Sequence, residues 1–414
     1  MDRIRNYLSE RIDAGDFPSA VYLVAEKGEI VLHEALGYAV VEPERIEAKL
    51  DTIYDLASLT KPLVTGLLCA KMIEGGEFDL GRTIDFYLRE FTTAEGYTNT
   101  DWDVSITELL THLTLFQAWK PFYLFVNRRD EVLAEIVRTS MNLEGPYVVY
   151  SDLNFLILTF LLERLVGESL EEIAGKEIFT PLNLRESSFN PAVELKRRIA
   201  ASENGNEYEK QTCIELGYLK PPATAGGKNE PPRPAATPPL KGGELSESAE
   251  AVTPNGSDQF RNPHSAFRTE AIWGEVHDGN AYFMGGVAGH AGLFSTAEET
   301  FKIAQQFLAN YTTLLKPETC QLFRTNFTKG MNEARSIAFQ LAETPDSTAG
   351  SKMSADSFGH LGFTGTSLWI DPTKDRIFIL LTNRTHNRQL PFANINSVRR
   401  RFHDLAIDYL DENF

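Results

Sequence analysis

Ser58-Leu59-Thr60-Lys61 puts a hydroxyl and an amine three residues apart, just ahead of a strongly apolar stretch. On a helix, residues i and i+3 share one face. The amine can then accept the serine proton, which is what a weak hydroxyl nucleophile needs from a neighbouring base. Two more clusters carry groups able to join it: Tyr150-Ser151-Asp152 and His360-Leu361-Gly362-Phe363-Thr364-Gly365. Lys61 serves as base if burial lowers its pKa, because a desolvated amine prefers to be neutral. Tyr150 serves instead if a cation favours its phenolate, since a free phenol titrates near ~10. If the two side chains meet, they titrate as one unit, and the sequence leaves the choice between them open. The oxyanion that forms in acyl transfer needs two convergent donors, and the backbone N–H of Ser58 at a helix start offers one.

The elements around these groups can be read from periodicity and punctuation. Residues 1–14 form a helix with Ile4, Tyr7, Leu8 and Ile12 on one stripe. Ser19 to Ala25 and Glu29 to Ala35 are strand-like, turning at Lys27-Gly28. Ser58 to Glu74 is helical, with Pro62 tolerated in the first turn and Gly75-Gly76 as the stop. Capping boxes begin at Ser105 and Ser169, and a third, Ser295-Thr296-Ala297-Glu298, opens a helix to about Asn310. Leu153 to Val166 is a very apolar helix ended by Gly167. Gly365 to Ile370 and Arg376 to Thr382 are strands, and a closing helix spans about Asn394 to Leu410.

Strands at both ends with helices between predict an α/β (α+β) fold. A sheet domain is built from residues 1–60 and 286–414, a mostly helical domain from 61–285 is inserted, and a cleft lies at the join. Residues 221–256, rich in proline, glycine, alanine and glutamate, are expected to be a flexible insertion that cannot bury enough surface to fold. Phe116, Trp119, Phe122 and Tyr123 cluster between the first two motifs, either lining a substrate pocket or packing in the core.

Composition narrows the functions. A chain of 414 residues with 42% hydrophobic content can bury a large core. A formal charge of −18 argues against nucleic acid or an anionic membrane as partner. Cys69, Cys213 and Cys320 are widely spaced and suggest no metal cluster or disulfide framework. His112, His277 and His290 lack ligand spacing and are assigned structural roles, and no metal or cofactor is expected. No apolar run approaches the ~18 residues of a membrane span. With no signal sequence recognised, a cytoplasmic location is expected, or a periplasmic one if a leader has been removed. Oligomeric state is not legible.

The three motifs, in this order, resemble the serine β-lactamase and penicillin-binding protein superfamily. Within it the chain is most similar to the class C β-lactamase-like branch, with its D-alanyl-D-alanine carboxypeptidases and carboxylesterases. The phrases Asp55-Leu56-Ala57-Ser58-Leu59-Thr60-Lys61-Pro62, Gly286-Val287-Ala288-Gly289-His290-Ala291-Gly292 and Gly362-Phe363-Thr364-Gly365-Thr366-Ser367 carry the likeness. It implies an antiparallel sheet flanked by terminal helices. It also implies Ser58 as acyl-enzyme nucleophile, Lys61 as its partner, and Tyr150 as general base and then acid. Phe363 N–H becomes the second oxyanion donor, along the strand after the third motif, with Gly362 at that strand's edge letting substrate approach.

Two positions depart from the pattern. His360 stands where many relatives have lysine, which weakens recognition of a substrate carboxylate. Asp152 stands where asparagine is usual, and its charge favours the Lys61 ammonium, shifting weight toward Tyr150 as base. The expected function is therefore a serine hydrolase acting on a small-molecule ester or amide, carboxylic esters above all, with weak or no β-lactam hydrolysis. The alternatives are a true β-lactamase or D,D-carboxypeptidase, or a non-catalytic binding or sensor protein.

Overall fold

The computed structural model describes residues 2–88, 104–139, 147–221 and 267–414. Apart from Pro221, the expected insertion at 221–256 lies outside them.

The strands are β1 (Ser19–Glu26), β2 (Glu29–Val40), β3 (Ile46–Glu47), β4 (Tyr54–Asp55), β5 (Phe294–Ser295), β6 (Gln340–Leu341), β7 (Phe358–Leu361), β8 (Ser367–Asp371) and β9 (Arg376–Thr382). Seven form one sheet in the order β3-β2-β1-β9-β8-β7-β6, and β4 pairs with β5 apart from it. The two ends of the chain meet at the antiparallel pair β1–β9, whose register runs from Ala20↔Thr382 to Glu26↔Arg376. β1 is buried on both faces, and its two-residue alternation divides two cores. Tyr22 and Val24 pack with Ile4, Leu8, Trp369 and Phe402 under the terminal helices Asp2–Asp13 and Asn396–Asn413. Val21 and Leu23 face the larger core shared with the helices of the middle of the chain. At its centre, the Asp152–Val166 helix is buried on nearly every side along its first two turns.

Three expectations need correction. The stretch from Ser58 to Glu74 is not one α-helix: Ala57–Leu59 is a 3₁₀ turn, Lys61–Gly66 a wide π turn, and only Leu67–Gly75 is α-helical. Pro62 has no N–H to return to the Ser58 carbonyl, so an α-helical bond is missing where the register changes. Gly76, at φ 86°, ends the helix as expected. The third capping box slips by one residue. Thr296 caps the Ala297–Ala304 helix through Glu299 N–H, while Ser295 belongs to β5 and its hydroxyl meets Ser187. Finally, His360 lies within a strand, β7, and the next strand begins at Ser367, so residues 362–366 form the turn between them.

Candidate active site

Ser58 is set by a strained turn. Ala57, just before it, has φ 49°, a left-handed conformation that costs a residue with a Cβ about 1 kcal/mol or more. Asp55 holds that turn: one carboxylate oxygen accepts the Ala57 N–H at 2.8 Å and the other accepts the His277 N–H at 2.7 Å. The segment is also tied to the β7–β8 turn. Thr364 Oγ1 donates to the Asp55 carbonyl at 2.8 Å, and Thr366 Oγ1 to the Leu56 carbonyl at 3.0 Å.

Lys61 is fully buried, and its ammonium donates three hydrogen bonds: to Ser58 Oγ at 3.0 Å, Asp152 Oδ1 at 2.7 Å and the His290 carbonyl at 3.1 Å. Gly289 makes the last contact possible. A Cβ there would lie 2.7 Å from the Phe155 carbonyl and 2.6 Å from Thr159 Oγ1, so only glycine lets the loop thread between the helices. Burial alone would lower the Lys61 pKa, but Asp152 and Tyr150 outweigh it and the net shift is upward. The route in which burial makes Lys61 a resting neutral base is therefore corrected: with a carboxylate at 2.7 Å, the resting form is the ammonium.

Tyr150 is half-buried and lines the same cavity as Ser58. Lys61 Nζ lies 4.9 Å from the ring centroid and the Arg335 guanidinium 5.3 Å from it. The ring packs on His112 and His360, with centroids 4.5 and 5.7 Å away. Desolvation raises the phenol's pKa, Lys61 lowers it, and Asp152 raises it again; the net direction is up. His112 Nδ1 accepts the Ser151 N–H at 3.1 Å, so this histidine positions the second motif.

His360 is 5% exposed and shares its Nδ1 proton with the Leu361 carbonyl. Burial, then Arg335 and Lys61, push its pKa well below the ordinary value, so it is a neutral ring. Gly362 differs from expectation in its reason. It follows β7, and a Cβ there would fall 1.9 Å from Thr366 Oγ1 and 2.5 Å from the Leu56 carbonyl. Glycine is thus required for the turn to close against the Ser58 segment, and Phe363 sits on that turn rather than along a strand. Gly362→Ala is expected to lower kcat/KM by about 10²-fold through a shift of the turn, and stability by about 1–3 kcal/mol. Kinetics alongside urea unfolding check both; full activity would count against the turn's role.

A cavity of about 630 Å³ opens here, and it brings together Ser58, Tyr150, Asp152, His360, Gly362, Phe363 and Trp119. Of the aromatic cluster, Trp119 lines this space, whereas Phe116 and Phe122 are core. Trp119 is carried on a loop stapled to the second motif by Ser151 Oγ to the Gln117 carbonyl and Asp152 N–H to the Ala118 carbonyl. Sequence reasoning missed Arg335, Arg384 and Arg399, which also line it. Asp152, Asp278 and His290 each bring one ligand-type atom within 4.8 Å of the others. That group is already engaged, Asp152 with the Lys61 ammonium and Asp278 with His290 Nε2 at 2.9 Å.

Asp152 raises both Lys61 and Tyr150, so removing its charge lowers both. Asp152→Asn is expected to move the ascending limb of the pH–kcat/KM profile acidward by about one pH unit or more. An unmoved limb would separate that titration from this pair.

Comparison with known proteins places the chain. The family profile described as Beta-lactamase matches residues 4–399. A protein of Escherichia coli (strain K12) named "Putative D-alanyl-D-alanine carboxypeptidase" is 27% identical over 414 residues, spanning 94% of this chain and 83% of that protein. Among solved structures, "EstCE1, a hydrolase with promiscuous acyltransferase activity" superposes with TM-score 0.65 at 19% identity, covering 97% of each chain. A class C β-lactamase from Rhodobacter sphaeroides gives TM-score 0.65 at 14% identity, covering 99% of each. The fold is that of the β-lactamases and penicillin-binding proteins, and among the described residues no helix is long and apolar enough to cross a membrane. With a serine and a tyrosine lining one cavity and a buried lysine bonded to that serine, the chain is a serine hydrolase that belongs to the beta-lactamase family.

Proposed function

We propose that the protein hydrolyses small carboxylic esters through an acyl-enzyme on Ser58, in a cleft between a sheet domain (1–60 and 286–414) and a helical domain (61–285). The observation that carries this is the 3.0 Å contact between Lys61 Nζ and Ser58 Oγ, made while Asp152 and the His290 carbonyl hold the same ammonium. Lys61 remains a cation and Tyr150, as phenolate, takes the Ser58 proton while the serine oxygen attacks the acyl carbon. The N–H groups of Ser58 and Phe363 receive the oxyanion. Tyr150 then returns its proton to the leaving alcohol, and water, activated in the same way, releases the acid and restores Ser58. Because the phenol's pKa is raised, the reactive form is a minor one at neutral pH. Turnover should rise with pH.

The neutral His360 supports an ester over a substrate held by its carboxylate. Turnover of p-nitrophenyl butyrate and of a chromogenic cephalosporin tests the choice, with Ser58→Ala and phosphonate labelling as controls. Rapid cephalosporin turnover without ester hydrolysis would overturn the preference. If the native protein resists phosphonate labelling and turns over neither compound, it is a binding protein.

A second reading, D,D-carboxypeptidase activity, is favoured by one observation. Arg335 is 4% exposed at the cavity wall, and although Nη2 pairs with Glu333 at 2.7 Å, Nε and Nη1 have no hydrogen-bond partner. That guanidinium can supply the cation for a substrate carboxylate that His360 lacks. Release of D-alanine from a D-alanyl-D-alanine peptide, lost in Arg335→Gln, is the result this reading requires.

A further inference from the structure

A buried arginine, Arg399, and a half-buried one, Arg384, donate hydrogen bonds to the backbone of the β7–β8 turn. Arg399, on the closing helix, donates from Nη2 to the Gly362 carbonyl at 3.0 Å and to the Thr366 carbonyl at 2.9 Å. Its Nη1 is held by Asn396 Oδ1 at 2.9 Å. Arg384 donates from Nε to the Phe363 carbonyl at 2.8 Å and from Nη1 to the Ala393 carbonyl at 2.8 Å. Its guanidinium lies 5.0 Å from the Phe363 ring centroid. These bonds all end on backbone carbonyls or on a side-chain amide oxygen, and burial, with Arg384 as neighbour, pushes the Arg399 pKa down to about 9. Gathering cations in a buried place without carboxylates is costly. A purely structural tie could be made by neutral donors.

Peptide planarity gives the charge a use. The Gly362 carbonyl and the Phe363 N–H belong to one trans amide, so they point in opposite directions. A guanidinium clamped on the oxygen fixes the direction of the N–H. It also withdraws electron density from the amide, which makes that N–H a stronger donor. The Phe363 carbonyl, fixed by Arg384, holds the following peptide plane, and the turn cannot roll about Phe363.

We infer that Arg399, seconded by Arg384, is a positioning residue that orients and polarises the Phe363 N–H for a developing oxyanion. This rests on the acyl-enzyme reading above. Neither arginine touches the substrate in this role; the effect travels through one amide.

The role can be tested with and without turnover. In Arg399→Ala, kcat for a p-nitrophenyl ester should fall about 30–100-fold with KM changed by less than about threefold, the mark of an interaction made in the transition state. Affinity for a phenylboronic acid, which forms a tetrahedral adduct, should fall in the same proportion. Added guanidinium at non-denaturing concentration should restore kcat at least about fivefold, and methylammonium should not, because a planar group is needed to set one nitrogen on both carbonyls while another is held by Asn396 Oδ1.

Arg399→Lys keeps the charge but loses the bridge, and serves if the alanine variant does not fold. In that variant the same loss of kcat is expected with melting temperature nearly maintained. Selective ¹⁵N-phenylalanine labelling adds a readout on the free protein: the Phe363 amide proton should move upfield in either variant. An unmoved Phe363 resonance together with unchanged kcat overturns the proposal. So does a loss seen equally in KM, or one that guanidinium and methylammonium rescue alike. Wild-type protein that hydrolyses no ester, with the Phe363 resonance still shifted by Arg399→Lys, would sink the hydrolase reading and leave the polarised amide standing.

Discussion

Lys61→Met is expected to lower ester turnover by at least about 10³-fold, because it removes the cation that stabilises the Tyr150 phenolate and orients Ser58. Methionine is close to lysine in length and leaves no large cavity, so the loss is one of charge and of three hydrogen bonds. The Asp152 carboxylate and the His290 carbonyl are left without their donor. Stripping one member from a buried ion pair costs about 3–5 kcal/mol. Asp152 keeps 17% of its side chain exposed toward the cavity, so water can take part of that load and the lower end is expected. Activity measured beside thermal unfolding distinguishes the two effects. Appreciable turnover by a folded Lys61→Met protein would mean that the proton goes elsewhere.

Tyr150→Phe should separate catalysis from stability more sharply. Only a hydroxyl is removed, while the ring keeps its packing on His112 and His360. Turnover is expected to fall about 10²–10⁴-fold, the usual range for a general acid–base group. Stability should change by no more than about 1 kcal/mol, with either sign, because burying a phenol away from bulk water is itself unfavourable. The ascending limb of the pH profile should flatten at the same time, since the proposed mechanism assigns that titration to the phenol, whose pKa is raised. If the limb survives unchanged in a slow variant, Lys61 carries it and the roles of the two are exchanged.

What the sequence made legible was local. The Ser58–Lys61 spacing, the Ser105 and Ser169 caps and the β1–β2 turn each depend on residues within a few positions of one another, and each is present. The direction of the Lys61 shift was not local, for its carboxylate partner lies 91 residues away. Asp152 signalled an ammonium, but only contact distance decides whether a charge outweighs burial. Gly362 was flagged for the right type and the wrong reason: its neighbours are Thr366 and a carbonyl from residue 56. Arg399 and Arg384 left no mark in the sequence, because a guanidinium bonded to backbone carbonyls has no partner side chain to form a motif with. Thr296 replaced Ser295 as cap because both can cap, and Glu299, which receives N–H groups from Arg185 and Glu186, fixed the register.

The threonine bonds from residues 364 and 366 to the carbonyls of 55 and 56 have one more consequence. They tie the two amides proposed to receive the oxyanion to one another, whereas the phenol arrives from a separate layer at the head of the Asp152–Val166 helix. Breathing between those layers changes the proton's path and leaves the shape of the charge-receiving pocket intact. Heating or mild denaturant should therefore impair acylation before it weakens the grip on a preformed tetrahedral adduct.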